Sequence, residues 1–236
     1  MIRPLDPNRA MLLRVAQALG NLRESLVFVG GCATGLLVTA VRAQVIRPTD
    51  DVDMVARAAT AREYHEAERQ LQARGFVHDL SQDSPICRWR LQEIVVDLMP
   101  SEDGVLGFHN RWYSLAVKTS QVVSLDDAVS IRLIAAPVFI ATKFEAFQGR
   151  GKGDFLMSHD LEDIITVVDG RAKLADEARA FPAELREYLA SNFRALQASP
   201  DFLDALAGHL PGDAASQARL PGLLEKIRAI AQLDQS

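Results

Sequence analysis

"VIRPTDDVDMV", residues 45–55, places three carboxylates, Asp50, Asp51 and Asp53, in a run that otherwise has the composition of a buried β-strand. Buried charge is costly unless a partner compensates it. Alternate side chains of a strand share a face, so Asp51 and Asp53 project together, about 6 to 7 Å apart, and Asp50 points away. Two like charges so placed repel unless a cation lies between them. The pattern predicts a metal-binding pair, with Asp50 as a strand-entry or capping residue.

Two further features extend this pattern along the chain. Asp97 interrupts the apolar strand "IVVDLMP" (94–100), and "SLVFVGG" (25–31) predicts a buried strand that ends at Gly30 and Gly31. Carboxylates suit Mg²⁺, and a glycine turn lets backbone N–H groups approach a phosphate. Each feature has an ordinary alternative, since single aspartates often cap strands and glycine pairs often form simple turns. Their order along the chain favours metal and phosphate chemistry.

The segments around the acids carry helix and strand patterns in turn. Helical spacing, a threonine cap and glycine stops predict helices over residues 6–20, 32–44 and 60–75. Alternation and β-branched residues predict strands at 51–56, 86–91, 94–100, 112–119, 121–125 and 129–135, with a hairpin turn at Gln92-Glu93. After Pro137 the segments have helical patterns.

This succession predicts an α/β (α+β) protein, in which a mixed sheet flanked by helices is followed by a helical C-terminal domain. We place the domains at residues 1–136 and 137–236.

The net charge, the cysteines and the apolar stretches indicate which partners and which cellular location to expect. The 236 residues carry a net charge of −5, so contact with nucleic acid would need a local basic patch. Two cysteines, Cys32 and Cys87, without a metal-binding spacing, indicate neither a disulfide framework nor a zinc site. No stretch reaches the roughly 18 apolar residues of a membrane helix. We expect a cytoplasmic protein without membrane contact.

The order of the acidic and glycine motifs resembles that of the nucleotidyltransferase superfamily. Its members carry an apolar strand, a glycine-glycine or glycine-serine turn, D-x-D on the following strand and a third aspartate on a later strand. The matching residues here are "FVGG" (28–31), "DVD" (51–53) and Asp97 in "VVDL". The interval between the glycines and the acids is longer than in the most compact members, which implies an extended first helix.

A second set of motifs resembles the AbiEii-type and MenT-type toxin nucleotidyltransferases. "RPTDDVDM" (47–54) has the R-x-T-x-D-h-D form of their acidic motif. "ATKFEAF" (141–147) followed by "SHDLEDI" (158–164) is similar to their lysine and D-x-x-D helices, which are less specific signals than the acids. The resemblance covers about residues 25–170.

The resemblance implies an enzyme that binds a nucleoside triphosphate with two Mg²⁺ ions, or Mn²⁺, and transfers the nucleoside monophosphate to a hydroxyl group. Asp51, Asp53 and Asp97 are the implied catalytic residues and metal ligands, with Asp97 also the base for the acceptor hydroxyl. Gly30 and Gly31 are implied to bind the nucleotide phosphates through their backbone. Cys32 stands where some members have serine, so it offers no hydroxyl there, and we interpret it as a small buried residue.

Three further residues are implied in nucleotide binding: Arg47, Lys143 and Asp160. A lysine in an apolar helix often extends to solvent instead, and Arg47 also fits an ordinary surface charge. Asp160 and Asp163 share a helix face, and either could orient Lys143, with Asp160 preferred. Capping of the helix that follows Ser158 is the structural alternative.

The sequence does not identify the molecule that accepts the nucleoside monophosphate. The toxin resemblance implies a tRNA 3′ end or a protein hydroxyl as acceptor, and a cognate antitoxin as partner. One alternative is a small-molecule nucleotidyltransferase of the antibiotic-modifying kind, which the acidic composition favours. The other is an inactive fold that serves as a binding module, against which the presence of all three acids argues.

Overall fold

The computed structural model of this chain describes residues 6–40, 45–58, 60–107, 109–151 and 153–235. The contacts divide these residues into two compact units. The sheet unit consists of the described parts of residues 6–35 and 47–135, and the helical unit of those of 36–46 and 136–236.

A mixed β-sheet forms the centre of the sheet unit. Its strands in the described ranges are β1 (Leu26–Val29), β2 (Asp51–Ala56), β3 (Val77–His78), β4 (Arg88–Leu91), β5 (Ile94–Pro100), β6 (Gln121–Ser124) and β7 (Ser130–Leu133). They lie in the order β3-β4-β5-β2-β1-β7-β6. β2 pairs with β5 and β1 with β7 in parallel, and the other neighbours are antiparallel. β2 and β5, which carry the acids, are therefore adjacent central strands.

Helices cover this sheet, and their termini follow ordinary capping chemistry. They are α1 (Arg9–Leu19), α3 (Ala61–Gln72) and α4 (Tyr113–Thr119); α2 (Thr34–Leu37) begins in this unit and ends in the helical unit. α1 buries Leu12, Val15, Ala16 and Leu19, which recur at helical spacing. α3 begins at the predicted threonine cap, Thr60, which forms a capping box with Glu63. The predicted mixed sheet flanked by helices is confirmed.

The predicted β4–β5 hairpin forms with its turn at Gln92-Glu93. Leu91 pairs with Ile94, and Arg88 pairs with Asp97 at the far end. The turn lacks glycine, and Gln92 takes a left-handed conformation with φ 56°. The short turn fixes the register of the whole hairpin.

The helical unit contains the predicted C-terminal helices. They are α5 (Ala136–Arg150), α6 (His159–Gly170), α7 (Leu174–Arg179), α8 (Ala183–Gln197), α9 (Pro200–Leu206), α10 (Ala214–Gln217) and α11 (Leu220–Ala231). α5 is buried along most of its length, and its Phe144 meets Phe193 of α8 edge to face at 5.1 Å. Ser158 caps α6 by accepting a hydrogen bond from the Leu161 N–H. Among the described residues, no helix has the length and apolar character needed to cross a lipid bilayer.

Two secondary-structure predictions are wrong. Residues 112–119 are predicted as a strand, but Tyr113–Thr119 form α4; the buried Ala116 of this helix stands four residues after the buried N-cap residue Trp112, the spacing of a helix face. The helix predicted over 32–44 ends at Leu37, because the Thr39 and Ala40 N–H groups donate to the Gly170 carbonyl at 3.0 and 2.9 Å. Residues 41–44 of that prediction lie outside the described residues.

Candidate active site

The structure brings Asp51, Asp53 and Asp97 together. Asp51 and Asp53 lie on β2, and the parallel register with β5 places Asp53 beside Asp97. One carboxylate oxygen from each residue lies within 4.8 Å of the others. Alternation puts the first two on one face, and the parallel pairing of β2 and β5 adds the third. The acids therefore form one cluster at the centre of the sheet.

Asp50 lies outside this cluster. It is exposed, whereas Asp51 and Asp53 are half-buried and Asp97 is buried. The Thr49 hydroxyl donates to a carboxylate oxygen of Asp51 at 2.6 Å, which fixes that side chain at the beginning of β2. This difference agrees with the opposite directions that alternation gives to Asp50 and its neighbour Asp51.

Because Gly30 has no side chain, the Asp53 carboxylate occupies the space beside its Cα atom. Its φ is +68° and its ψ is −168°, a conformation found almost exclusively in glycine. A Cβ at this position would lie 1.7 Å from Oδ2 of Asp53. The conformation and the close approach both require glycine here, so the turn is built around the acid.

The turn continues through Gly31 and Cys32, both buried. Gly31 begins a 3₁₀ turn, Gly31–Ala33, that leads into α2. The Cys32 thiol lies 3.2 Å from the Val29 carbonyl, as expected for a small buried residue with a local hydrogen bond. Cys32 and Cys87 are not joined in a disulfide.

Arg88 of β4 binds the third acid and was missed by the sequence analysis. Its Nε and one terminal nitrogen donate to the two oxygens of Asp97 at 2.9 and 2.7 Å. These hydrogen bonds raise the pKa of the Arg88 guanidinium above its usual range. A signal for this pair exists, because a hairpin that turns at residues 92–93 places residue 88 opposite residue 97.

Asn8 holds the chain segment that precedes β2, and it too was missed. Its side-chain amide donates to the Arg47 carbonyl and accepts from the Thr49 N–H, both at 3.0 Å. Asn8 is buried, so these hydrogen bonds are shielded from water. Arg47 itself is half-buried, and its guanidinium donates to the Pro48 carbonyl at 3.2 Å. Its predicted contact with a nucleotide stays a prediction.

Lys143, Asp160 and Asp163 form a second charge cluster, inside the helical unit. The Lys143 ammonium lies 3.1 Å from Asp160 and 2.7 Å from Asp163, and all three residues are buried. Arg150 adds two hydrogen bonds to Asp160, at 2.8 and 2.9 Å. Both acids of the D-x-x-D motif thus contact the lysine. The predicted roles of Lys143 and Asp160 in nucleotide binding stay predictions.

The chemistry of the sheet cluster fits a divalent cation. Two oxygens that share one magnesium ion lie at most about 4.2 Å apart, twice the usual bond length. A separation of up to 4.8 Å is therefore within a small side-chain rotation of a shared cation. Burial, with repulsion from Asp97, raises the pKa of the nearby Cys87 thiol to about 12, so it offers no thiolate. The ligand set is hard oxygen, which suits Mg²⁺ or Mn²⁺.

A solved structure shares this arrangement of sheet and helices. It is the crystal structure of an antigenic nucleotidyltransferase-like protein from Paracoccidioides brasiliensis, at 21% sequence identity and a TM-score of 0.52. The alignment covers 87% of this chain and 94% of that one. The chain has a nucleotidyltransferase-like fold.

Other comparisons add little to this nucleotidyltransferase-like fold. JHP933 from Helicobacter pylori matches at 14% identity over 98% of this chain and 90% of that chain, with a TM-score of 0.44. No known sequence family matches the chain, and no curated protein sequence does.

Proposed function

We propose that this protein is a divalent-cation-dependent nucleotidyltransferase that moves a nucleoside monophosphate from a nucleoside triphosphate to a hydroxyl acceptor. The observation that supports it is the meeting of Asp51, Asp53 and Asp97 within 4.8 Å. This cluster lies beside a glycine turn whose missing side chain makes room for Asp53. Composition alone would not suggest this activity.

The three acids divide the work in this proposal. Asp51 and Asp53 hold the cation, and Thr49 keeps Asp51 in place through its hydroxyl. Asp97 completes the ligand set and takes the proton of the acceptor hydroxyl. Bound magnesium would neutralise the phosphate charge and lower the barrier to displacement.

The proposed reaction exchanges one bond to phosphorus for another. The acceptor oxygen forms a bond to the α-phosphorus of the triphosphate, and the bond from that phosphorus to the oxygen bridging it to the β-phosphorus breaks. Pyrophosphate leaves, and the acceptor proton passes to Asp97 and then to solvent. The backbone of Gly30 and Gly31 would lie close to the phosphates, since glycine permits such an approach.

The resemblance to toxin enzymes makes tRNA and protein hydroxyls the first acceptors to test. A small-molecule acceptor is the second candidate, favoured by the net charge of −5, which gives no general attraction for polyanions. For a toxin, an antitoxin encoded by a neighbouring reading frame should suppress both transfer and growth arrest.

Transfer of radiolabel tests the proposal. The protein is incubated with each α-³²P-labelled triphosphate and Mg²⁺ or Mn²⁺, together with total tRNA, a cell protein extract or an aminoglycoside panel. We expect label in one acceptor class, and a loss of roughly a hundredfold or more in Asp51→Asn, Asp53→Asn and Asp97→Asn. Asp50→Asn is the matched control, because this acid is exposed and outside the cluster. Full transfer by the folded Asp51→Asn variant would contradict the proposal.

A further inference from the structure

The contact between Arg88 and Asp97 is geometrically demanding. Two parallel hydrogen bonds, at 2.9 and 2.7 Å, join the planar guanidinium to both carboxylate oxygens. The Asp97 side chain is 10% exposed and that of Arg88 29%. Such a bidentate pair fixes orientation as well as supplying charge. Arg88 therefore decides which way the third acid of the cluster faces.

The pairing leaves Asp97 able to bind a further group. An ionised carboxylate has about four lone-pair sites, and the two hydrogen bonds from Arg88 occupy one on each oxygen. One site on each oxygen remains, and one of these oxygens lies within 4.8 Å of those of Asp51 and Asp53. Arg88 can therefore stay bound while Asp97 serves the cluster as a ligand through a single oxygen.

The hydrogen bonds of Arg88 favour cation binding by orienting Asp97, but its positive charge disfavours it. Three carboxylates within 4.8 Å repel one another, and the guanidinium relieves part of that repulsion. The same positive charge repels a divalent cation bound by the carboxylates. Asp97 is short and buried in a central strand, so we expect a variant without Arg88 to keep Asp97 in the cluster and to lose mainly the fixed orientation of its carboxylate.

Building on the proposed function, we propose that Arg88 is a positioning residue that holds Asp97 in its ligating orientation and weakens cation binding through its charge. In this proposal, the positive charge of Arg88 and its paired hydrogen bonds have separate effects on the bound cation. Loss of the charge tightens cation binding, and loss of the paired hydrogen bonds changes the coordination of the bound ion.

Mn²⁺ alone is the probe, followed by electron paramagnetic resonance of the full-length protein. The signal of free Mn²⁺ gives the dissociation constant, and the spectrum of the bound ion reports its ligand geometry. Arg88→Gln removes both the positive charge and the paired hydrogen bonds to Asp97. This variant should bind Mn²⁺ roughly three- to tenfold more tightly, and the spectrum of the bound ion should change. Arg88→Lys keeps the charge, and should bind within about twofold of wild type but with an altered spectrum.

Arg90→Gln is the matched control. It removes the same charge from the same strand, but Arg90 pairs with Asp79, at 2.9 Å, rather than with the cluster. We expect wild-type affinity and a wild-type bound spectrum. Circular dichroism and thermal unfolding of each variant establish that it is folded.

The outcomes separate this inference from the proposed function. Tighter binding by Arg88→Gln cannot come from misfolding, so that result with an altered spectrum supports the inference. Unchanged or weaker binding by folded Arg88→Gln, while wild type binds and Asp51→Asn does not, overturns the inference and leaves the metal site standing. If wild type itself binds no Mn²⁺, the metal site and the inference are both overturned.

Discussion

The sheet unit and the helical unit each contain a charge cluster, and the two differ in balance. In the sheet unit, the carboxylates of Asp51, Asp53 and Asp97 lie within 4.8 Å of one another, and Arg88 pairs with Asp97. In the helical unit, Lys143 and Arg150 face two carboxylates, Asp160 and Asp163. Among the groups named here, carboxyl groups outnumber basic groups three to one in the first set and equal them, two to two, in the second.

Under the proposed function, the sheet cluster binds a cation, whereas we expect the helical cluster to stabilise the fold. Carboxylates that lie close together at the centre of a sheet repel one another, and the proposed cation would compensate that repulsion. A buried set of matched charges contributes through its pairing, and removing one partner exposes the full cost of the others. Four predictions test this contrast.

The largest expected effect is in the helical cluster. Lys143→Met removes the ammonium that contacts both Asp160 and Asp163, whereas Arg150 still pairs with Asp160. We expect the free energy of unfolding to fall by about 3 to 5 kcal/mol, the usual consequence of breaking a buried ion pair. Chemical denaturation measures it. Lys173→Met, at an exposed position, should change it by less than about 0.5 kcal/mol. A loss below about 1 kcal/mol in Lys143→Met would mean that the cluster is not structural.

The second effect concerns the glycine turn of the sheet cluster. In Gly30→Ala the new methyl group would lie 1.7 Å from the Asp53 carboxylate, on a backbone with φ +68°. We expect a loss of about 1 to 3 kcal/mol in stability from the backbone and a loss of roughly tenfold or more in Mn²⁺ affinity from the displaced acid.

Gly20→Ala is the control for that displacement. Gly20 also has a positive φ, +53°, but a Cβ there would meet nothing within 4 Å. The variant should lose stability and keep its Mn²⁺ affinity, as titration of Mn²⁺ by magnetic resonance would show. Equal loss of affinity in both variants would contradict the role given to Gly30.

The third prediction concerns how the stability supplied by the helical cluster depends on pH. Burial raises the pKa of Asp160, but hydrogen bonds from Arg150 and the charges of Lys143 and Arg150 outweigh it, so the pKa lies below its ordinary 3.8. A lowered folded-state pKa gives stability that is present above 3.8 and is lost as the pH falls through the folded value. The difference in unfolding free energy between wild type and Asp160→Asn should be constant from pH 7 to about 5 and shrink below 3.8. A difference that grows toward low pH would reverse the sign and exclude this origin.

The smallest effect is expected for Asp50, which lies outside the sheet cluster. Asp50→Asn should change the free energy of unfolding by less than about 0.5 kcal/mol and the Mn²⁺ affinity by less than about twofold, because Asp50 is exposed and lies outside the carboxylate cluster. Calorimetric titration with Mn²⁺ and denaturation measure both. A large loss of affinity would place Asp50 inside the cluster and shift the register assigned to β2.

Local patterns were sufficient for much of the fold and part of the site. Residues 51–56 alternate with the period of a strand, and β2 has these bounds. Thr60 caps α3, as the sequence predicts. Where local signals were weak the prediction failed: residues 112–119 have β-branched and aromatic residues but bury a helix face.

The sequence by itself determined that Asp51 and Asp53 share a face and that Asp50 does not, because alternation along a strand is a local property. Only the tertiary structure decided that Asp97 lies beside Asp53, that Gly30 yields its side-chain space to Asp53, and that Arg88 holds Asp97. It also decided that Lys143 meets both acids of α6. These contacts join residues distant in sequence, and their geometry depends on strand order and helix packing, which no local spacing specifies.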